Sequence, residues 1–156
     1  MCLGGDQFLL RSPTYGAVDV VTAKEIIHNF KGQSPFKVYI GTDSDARDGV
    51  VTFATVLIVY KPGIGATYLY TLRKEHKHYD MFSRIFQETY LSLQMATFAK
   101  QMLDLASPEI HIDVGYDGLS KEVLPAVVGY VKGMGYSYKL KPWAFAATKI
   151  AHRHTK

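Results

Sequence analysis

The chain has 156 residues, of which 47% are apolar and 21% charged, and this balance predicts one globular domain over 1–156 and excludes a disordered chain. Its single cysteine, Cys2, excludes an intramolecular disulfide and a cysteine-based zinc site. We therefore expect a cytoplasmic protein, without a signal peptide and without a membrane partner, since no apolar run approaches the roughly 18 residues of a membrane helix.

Basic residues are concentrated towards the carboxyl end of a chain whose formal net charge is +4. No acidic residue follows Glu122, which makes the remaining residues a basic region. Such a region favours an anionic partner, and nucleic-acid phosphates are the anions we expect. The residues of this region predicted to contact the substrate are Lys139, Lys141, Lys149 and Arg153. A solvated helix face is the alternative interpretation of the terminal run.

The first half of the chain predicts an irregular arm, a short helix and three antiparallel strands. The arm covers residues 1–20 and carries a turn-rich Ser-Pro-Thr-Tyr-Gly segment. Thr22 and Glu25 have the spacing of a capping box, which predicts a helix to about residue 30. Apolar and β-branched segments predict strands over 38–45, 50–60 and 67–72.

The second half alternates helices with strands. A basic connector at 73–79 precedes a long helical pattern from 80 to about 105, in which apolar residues repeat at helical spacing. The later elements are a strand over 109–114, a helix over 119–131, a strand over 136–141 and a helical tail over 143–156. This order predicts an α/β fold with a mixed five-stranded sheet flanked by helices.

Three acidic residues fall on three separate predicted elements. Asp43 lies at the polar end of the first long strand, where Gly41 leaves space beside it. Glu88 interrupts the apolar stripe of the long helix, which indicates a partner in the core direction, although a helix edge would also explain it. Asp113 ends the fourth strand. Convergent carboxylates are the hard oxygen ligands of Mg²⁺ or Mn²⁺, so these residues predict a metal site.

Other polar and aromatic residues have ordinary explanations beside a functional one. Asp45 and Asp117 are alternate metal ligands or turn residues. His111 either orients Asp113 or is a buried, hydrogen-bonded histidine. The two histidines at 76 and 78 favour a solvated loop facing phosphate over a metal pair. Trp143 is predicted to lie in the core and not to serve as a stacking platform for bases.

The order of elements, with acids in these places, resembles the ribonuclease H-like fold. Several longer motifs are similar to those of the YkuK branch of bacterial ribonuclease H-like proteins. They are Ser-Pro-Thr-Tyr-Gly at 12–16, Ile-Gly-Thr-Asp-Ser at 40–44, His-Ile-Asp-Val-Gly at 111–115, Ser-Lys-Glu at 120–122, Val-Val-Gly-Tyr-Val-Lys-Gly-Met-Gly at 127–135, Lys-Pro at 141–142 and Ala-His-Arg-His-Thr-Lys at 151–156. The resemblance covers nearly the whole chain.

The resemblance implies that Asp43, Glu88 and Asp113 hold two Mg²⁺ or Mn²⁺ ions. It places His152 at a last-helix position where most relatives carry aspartate, and imidazole either binds metal or transfers a proton there. The implied activity is metal-dependent phosphodiester hydrolysis of RNA, DNA or a hybrid. The alternative is a non-catalytic nucleic-acid-binding or interaction module with a degenerate site, which the histidine favours.

Overall fold

The computed structural model describes residues 9–116 and 119–156, with the side chains of residues 119 and 120 left out. Within these ranges the strands are β1 (Leu10–Ser12), β2 (Gly16–Val18), β3 (Lys37–Arg47), β4 (Val50–Lys61), β5 (Gly65–Glu75), β6 (Glu109–His111) and β7 (Tyr138–Lys139). The α-helices are α1 (Val20–Lys31), α2 (Met81–Met102) and α3 (Leu124–Gly133). A π-helical segment, Ala146–Ala151, continues into a 3₁₀ turn, His152–His154, and the two together are called the C-terminal helix.

The strands form one mixed sheet in the order β2-β1-β5-β4-β3-β6-β7. Antiparallel β3, β4 and β5 make its centre, and β6 and β7 add in parallel beyond β3. The predicted α/β class and mixed sheet are therefore confirmed, whereas the predicted count of five strands is wrong for the described part of the chain. The two further strands come from the segment that we expected to be an irregular arm.

Residues 10–18 form a hairpin that extends the sheet beside β5. Its turn is closed by Ser12, whose Oγ accepts hydrogen bonds from the backbone N–H groups of Thr14 and Tyr15. Gly16 has φ of 72°, a left-handed conformation that glycine adopts without strain. Strands of three residues carry too little alternation to be recognised in the sequence.

Several predicted element boundaries also differ from the structure. Helix α1 is capped by Asp19, whose side chain accepts from Thr22 N at 2.7 Å, so Thr22 is not the N-cap. The helix predicted over 119–131 begins as a 3₁₀ turn, Leu119–Glu122, before α3. The strands at 109–114 and 136–141 and the tail at 143–156 are shorter than predicted. Among the described residues, no helix has the length and apolar composition needed to cross a bilayer.

The sheet is covered differently on its two faces. The larger core lies against α1, α2 and α3 and contains Val38 and Ile40 of β3. On the opposite face Ala54, Val56 and Ile58 of β4 pack against the C-terminal helix. A Cβ at Gly41 would lie 2.5 Å from Ala147 N, so the missing side chain allows the C-terminal helix to sit directly on β3.

Candidate active site

The three predicted acids line one cavity of about 550 Å³. Asp43 comes from β3, Glu88 from α2, and Asp113 from the segment just after β6. Because Gly41 pairs with His111 in the parallel ladder, the residues two positions further on, Asp43 and Asp113, lie at the same end of the sheet. The other residues that line the cavity are Tyr79, Met81, Arg84, Ile85 and Lys141.

Glu88 points towards the sheet, as its place in the apolar stripe predicted, and is only 9% exposed. Its Oε2 accepts a hydrogen bond from Ser44 Oγ on β3. Arg84, one turn earlier on α2, donates from Nε to Ser44 Oγ at 2.6 Å and from its Nη2 to Ser44 O at 2.8 Å. Sequence reasoning missed both partners, although the four-residue spacing of Arg84 and Glu88 puts them on one helix face.

The pKa values of the acids show how unfavourable the full negative charge of this cluster is. Burial raises the pKa of Glu88 well above its usual range, and the negative charges of Asp43 and Asp113 raise it further, against the opposing effects of Ser44 and Arg84. Burial also raises the pKa of Asp113, with Lys141 opposing and Asp43 adding to the shift. A bound cation would remove this repulsion.

Lys141 lies inside the cavity, with Nζ 3.2 Å from Asp113 Oδ1. Asp113 Oδ1 is buried, and the Lys141 contact lacks the angles of a well-directed hydrogen bond, so attraction between opposite charges is the main interaction of the pair. Sequence reasoning predicted that Lys141 contacts substrate and did not foresee its pairing with a candidate metal ligand. Its ammonium group supplies positive charge where a cation is expected.

His152 lies next to Asp43, with Nδ1 2.7 Å from Oδ2, while 49% of the histidine side chain is exposed. The structure thus places His152, the fourth predicted site residue, in contact with Asp43. The contact depends on how the C-terminal helix is docked onto the sheet. Two residues further on, His154 stacks on Tyr70 with ring centroids 3.8 Å apart. This contact holds the end of the C-terminal helix on the sheet.

His111 fastens the beginning of the C-terminal helix. Its Nδ1 accepts a hydrogen bond from Ala146 N at 3.1 Å, so the ring hydrogen is on Nε2, which donates to Glu109 Oε1 at 3.1 Å. Burial lowers the pKa of His111, which keeps the ring neutral. His111 is thus the buried, hydrogen-bonded histidine of our second interpretation.

The remaining predicted residues lie away from the cavity. Lys139, Lys149 and Arg153 are exposed and do not line it. Asp45 also lies outside it, within β3 and not in a turn, in an ion pair with Arg47 at 2.6 Å; its role as an alternate ligand stays a prediction. Asp117 and Cys2 lie outside the described residues. The exposed histidines at 76 and 78 belong to the connector before α2.

Trp143 is 71% exposed, so its predicted place in the core is wrong. The backbone turns sharply there, with Trp143 N–H donating to Leu140 O at 2.7 Å. Phe145 is 37% exposed and packs on the sheet surface, with its ring edge-on to Tyr39 at 5.1 Å and to His111 at 4.8 Å. The turn thus leaves Trp143 more exposed than Phe145.

The donor set of the cavity suits a hard divalent cation. Carboxylate oxygens are the ligands of Mg²⁺ and Mn²⁺, and Asp113 Oδ1 is a buried oxygen that accepts no well-directed hydrogen bond. Within 9–116 and 119–156, however, no three or more His, Cys, Asp or Glu side chains are already arranged to hold a metal ion. The residues therefore fit the metal chemically, and binding requires that Lys141 moves away from Asp113.

Comparison with known proteins gives a related sequence, a family and a distant structural likeness. The "Uncharacterized protein YkuK" of Bacillus subtilis (strain 168) is 27% identical over 173 residues, covering 97% of this chain and 99% of that protein. The structure of RNase H1 from the archaeon Halobacterium salinarum NRC-1 matches with 12% identity and a TM-score of 0.41, covering 71% of this chain and 88% of that one. The Ribonuclease H-like family model matches residues 21–156. The chain therefore belongs to the ribonuclease H-like family, in the branch that contains YkuK.

Proposed function

We propose that the protein is a metal-dependent phosphodiester hydrolase that acts on nucleic acid by a two-metal mechanism in the cytoplasm. One observation carries the proposal: carboxylates from β3, α2 and the segment after β6 meet in one cavity that also contains Arg84 and Lys141. Membership of the ribonuclease H-like family supports a nucleic acid as the partner. The basic region after Glu122 supports recognition of phosphate, without deciding between RNA, DNA and a hybrid.

Asp43, Glu88 and Asp113 would hold Mg²⁺ or Mn²⁺. When bound, the ions would neutralise charge that develops on the phosphoryl oxygens and lower the pKa of the attacking water. Arg84 is fixed by Ser44 at the cavity wall, where its guanidinium attracts the phosphate and offsets the charge of Glu88. Lys141 is half exposed and can move from Asp113 to a phosphate oxygen.

Hydrolysis adds one water across the phosphodiester bond. The water oxygen bonds to phosphorus and loses a proton, while the bond from phosphorus to the leaving oxygen breaks and that oxygen gains a proton. His152 is the proton-transfer group of the site. An ionised carboxylate only accepts hydrogen bonds, so the Nδ1–H of His152 donates to Asp43 and Nε2 remains free to accept a proton.

The test is cleavage of end-labelled RNA, DNA and hybrid oligonucleotides in Mg²⁺, in Mn²⁺ and in EDTA. We expect cleavage only with a divalent ion and its loss in D43N. The matched control is D45N, which removes the same charge from a carboxylate that pairs with Arg47 outside the cavity and should retain activity. Melting temperatures with millimolar metal give an independent readout, since an ion that binds only the folded state stabilises it. Absence of divalent-dependent cleavage of all three substrates would overturn the proposal.

A non-catalytic nucleic-acid-binding module is the second candidate. It is favoured by the ion pair of Lys141 with Asp113, which already neutralises one candidate ligand, and by the lack of a ready metal group among the described residues. This candidate predicts salt-sensitive binding of nucleic acid, no cleavage, and a melting temperature that millimolar Mg²⁺ and Mn²⁺ leave unchanged. The same two experiments therefore separate the candidates.

A further inference from the structure

Two aromatic side chains on the segments that follow β6 and β7 are largely exposed to solvent. Tyr116 is 72% exposed and Trp143 is 71% exposed. Among the residues that the structure describes, neither ring stacks on another ring, and neither side chain makes a hydrogen bond. A tryptophan exposed to this extent leaves a large apolar surface and an indole N–H donor without a partner, which is typical of a binding surface.

The pairing of neighbouring chain segments places both residues at the end of the sheet that holds the acids. Ile112 N–H donates to Lys139 O, and Lys141 N–H donates to Val114 O, both at 2.9 Å. These bonds continue the parallel pairing beyond β6 and β7, so the chain reaches Tyr116 and Trp143 just past the same edge. Lys141, which contacts Asp113, belongs to the segment that leads to Trp143.

The backbone that carries Trp143 is firmly anchored. Hydrogen bonds fix it on both sides, from Trp143 N–H to Leu140 O at 2.7 Å and from Phe145 N–H to Trp143 O at 3.0 Å. The Phe145 ring is packed on Tyr39 and His111, so the segment is joined to the sheet and to the C-terminal helix. An aromatic ring on an anchored backbone loses little conformational entropy when it binds a ligand.

We propose that Tyr116 and Trp143 stack on unpaired bases of a single-stranded nucleic acid, whose phosphate beside Lys141 reaches the carboxylate cavity. The inference rests on the proposed function and names its substrate class. In a duplex the faces of each base are covered by neighbouring bases, so exposed protein rings can stack only on unpaired ones. Aromatic rings accept every base, while the basic region holds the backbone. Recognition would therefore be independent of sequence.

Trp143 is the only tryptophan of the chain, so its fluorescence reports directly on stacking. The protein is titrated in EDTA with oligouridylate, with oligodeoxyuridylate, which differs from it only in the sugar, and with a duplex of the same length. We expect saturable quenching by the single strands and little by the duplex. Because W143A and W143F lack this fluorophore, the affinities of all variants are measured by the anisotropy of a labelled single strand. W143A and Y116A should lower single-strand affinity by roughly 5- to 100-fold each, whereas W143F should retain most of it. The matched control is Y15A, which removes a tyrosine 69% exposed in the β1–β2 turn and should bind like wild type.

Equal quenching by duplex and single strand, or unchanged affinity in both W143A and Y116A, would overturn the inference. Preference for one of the two single strands over the other would support it and assign the sugar. The two proposals fail separately. Cleavage of duplex or hybrid by wild type, unaffected by W143A, retains the proposed function and overturns the stacking site. Quenching by single strands without any divalent-dependent cleavage retains the stacking site and overturns the proposed function.

Discussion

Glu88 is a buried carboxylate whose surroundings fix its position but disfavour its negative charge. Ser44 and Arg84 hold its side chain in place, while burial and the charges of Asp43 and Asp113 disfavour its ionised form. In a protein without metal this arrangement costs stability at neutral pH, because a charge inside the fold is poorly solvated. The same arrangement provides a cation with an oxygen ligand that is already in place.

E88Q should therefore stabilise the metal-free protein at neutral pH. Folding raises the Glu88 pKa above its usual 4.5, so the stabilisation from its protonated form is complete below pH 4.5 and is lost as pH rises through the folded-state pKa. In EDTA and above the folded-state pKa of Glu88, we expect the free energy of unfolding of E88Q to exceed that of wild type by roughly 1–2 kcal/mol, or about 2–8 °C in melting temperature. At pH 4 we expect no difference. Urea unfolding at a series of pH values measures this. A less stable E88Q at every pH would contradict it.

H152A should lower the cleavage rate by about 100-fold with little change in KM, because loss of a proton-transfer group acts on the chemical step. H78A is the matched control, since it removes an exposed histidine of the connector. Two rescues identify the role of His152. Added imidazole should restore part of the H152A rate if the ring transfers a proton, whereas H152D should restore metal binding if the position is a ligand. An H152A rate equal to that of H78A would exclude both roles.

At the scale of elements, the C-terminal helix is the part that completes the site. It is short and lies on β3 only because Gly41 has no side chain there. Its first turn donates a backbone hydrogen bond to His111, and its last turn carries His154, which stacks on Tyr70. These contacts place His152 beside Asp43, so the docking of the C-terminal helix and the geometry of the acid site are coupled.

G41A should destabilise the protein and disturb the site together. The new Cβ would lie 2.5 Å from Ala147 N and 2.8 Å from Ala146 C, and because both are backbone atoms, the C-terminal helix must shift. We expect a loss of roughly 1–3 kcal/mol, with lower activity in the remaining folded protein. G129A is the matched control, since nothing lies within 4 Å of its new Cβ within α3, and it should gain about 0.5–1 kcal/mol. Denaturant unfolding of both variants measures this, and equal stability of G41A and wild type would contradict it.

At the scale of the whole molecule, three basic residues of the C-terminal region lie outside the acidic cavity, which has Arg84 and Lys141 in its own lining. The carboxylates line the cavity, whereas Lys139, Lys149 and Arg153 are exposed outside it. Phosphate contacts of such peripheral groups release counterions from nucleic acid and give affinity without sequence preference. This charge distribution suits a protein that holds the strand by its backbone while the acids act on one bond.

The salt dependence of binding should identify the peripheral contacts. With four phosphate contacts, the logarithm of affinity should fall against the logarithm of salt concentration with a slope of roughly −3 to −4. The double variant K139A/K149A should flatten this slope by about one to two units and leave sequence preference unchanged. K24A/K31A removes the same charge from α1 and should preserve the slope. Fluorescence anisotropy over a range of salt concentrations measures it, and equal slopes in both double variants would contradict the assignment.

Local pattern was enough to predict much of this protein. The alternation of β3, the long helical repeat of α2 and the order of the elements predicted a mixed α/β sheet, and the placement of Glu88 in the apolar stripe predicted its burial. These features depend on the spacing of neighbouring residues, which a sequence displays directly. The three-residue strands of the hairpin and the exposure of Trp143 were predicted wrongly, because turns and partners decide them.

Contacts between residues distant in sequence were decided only by the tertiary structure. Ser44 with Arg84, Lys141 with Asp113, and His152 with Asp43 join different elements, and no spacing along the chain predicts which polar groups will pair. Their geometry follows from the parallel register of β3 with β6 and from the close approach at Gly41. Amino-acid type alone determined that carboxylates, a histidine and lysines were present, whereas packing determined which charges neutralise one another, since electrostatic interaction depends on distance and burial.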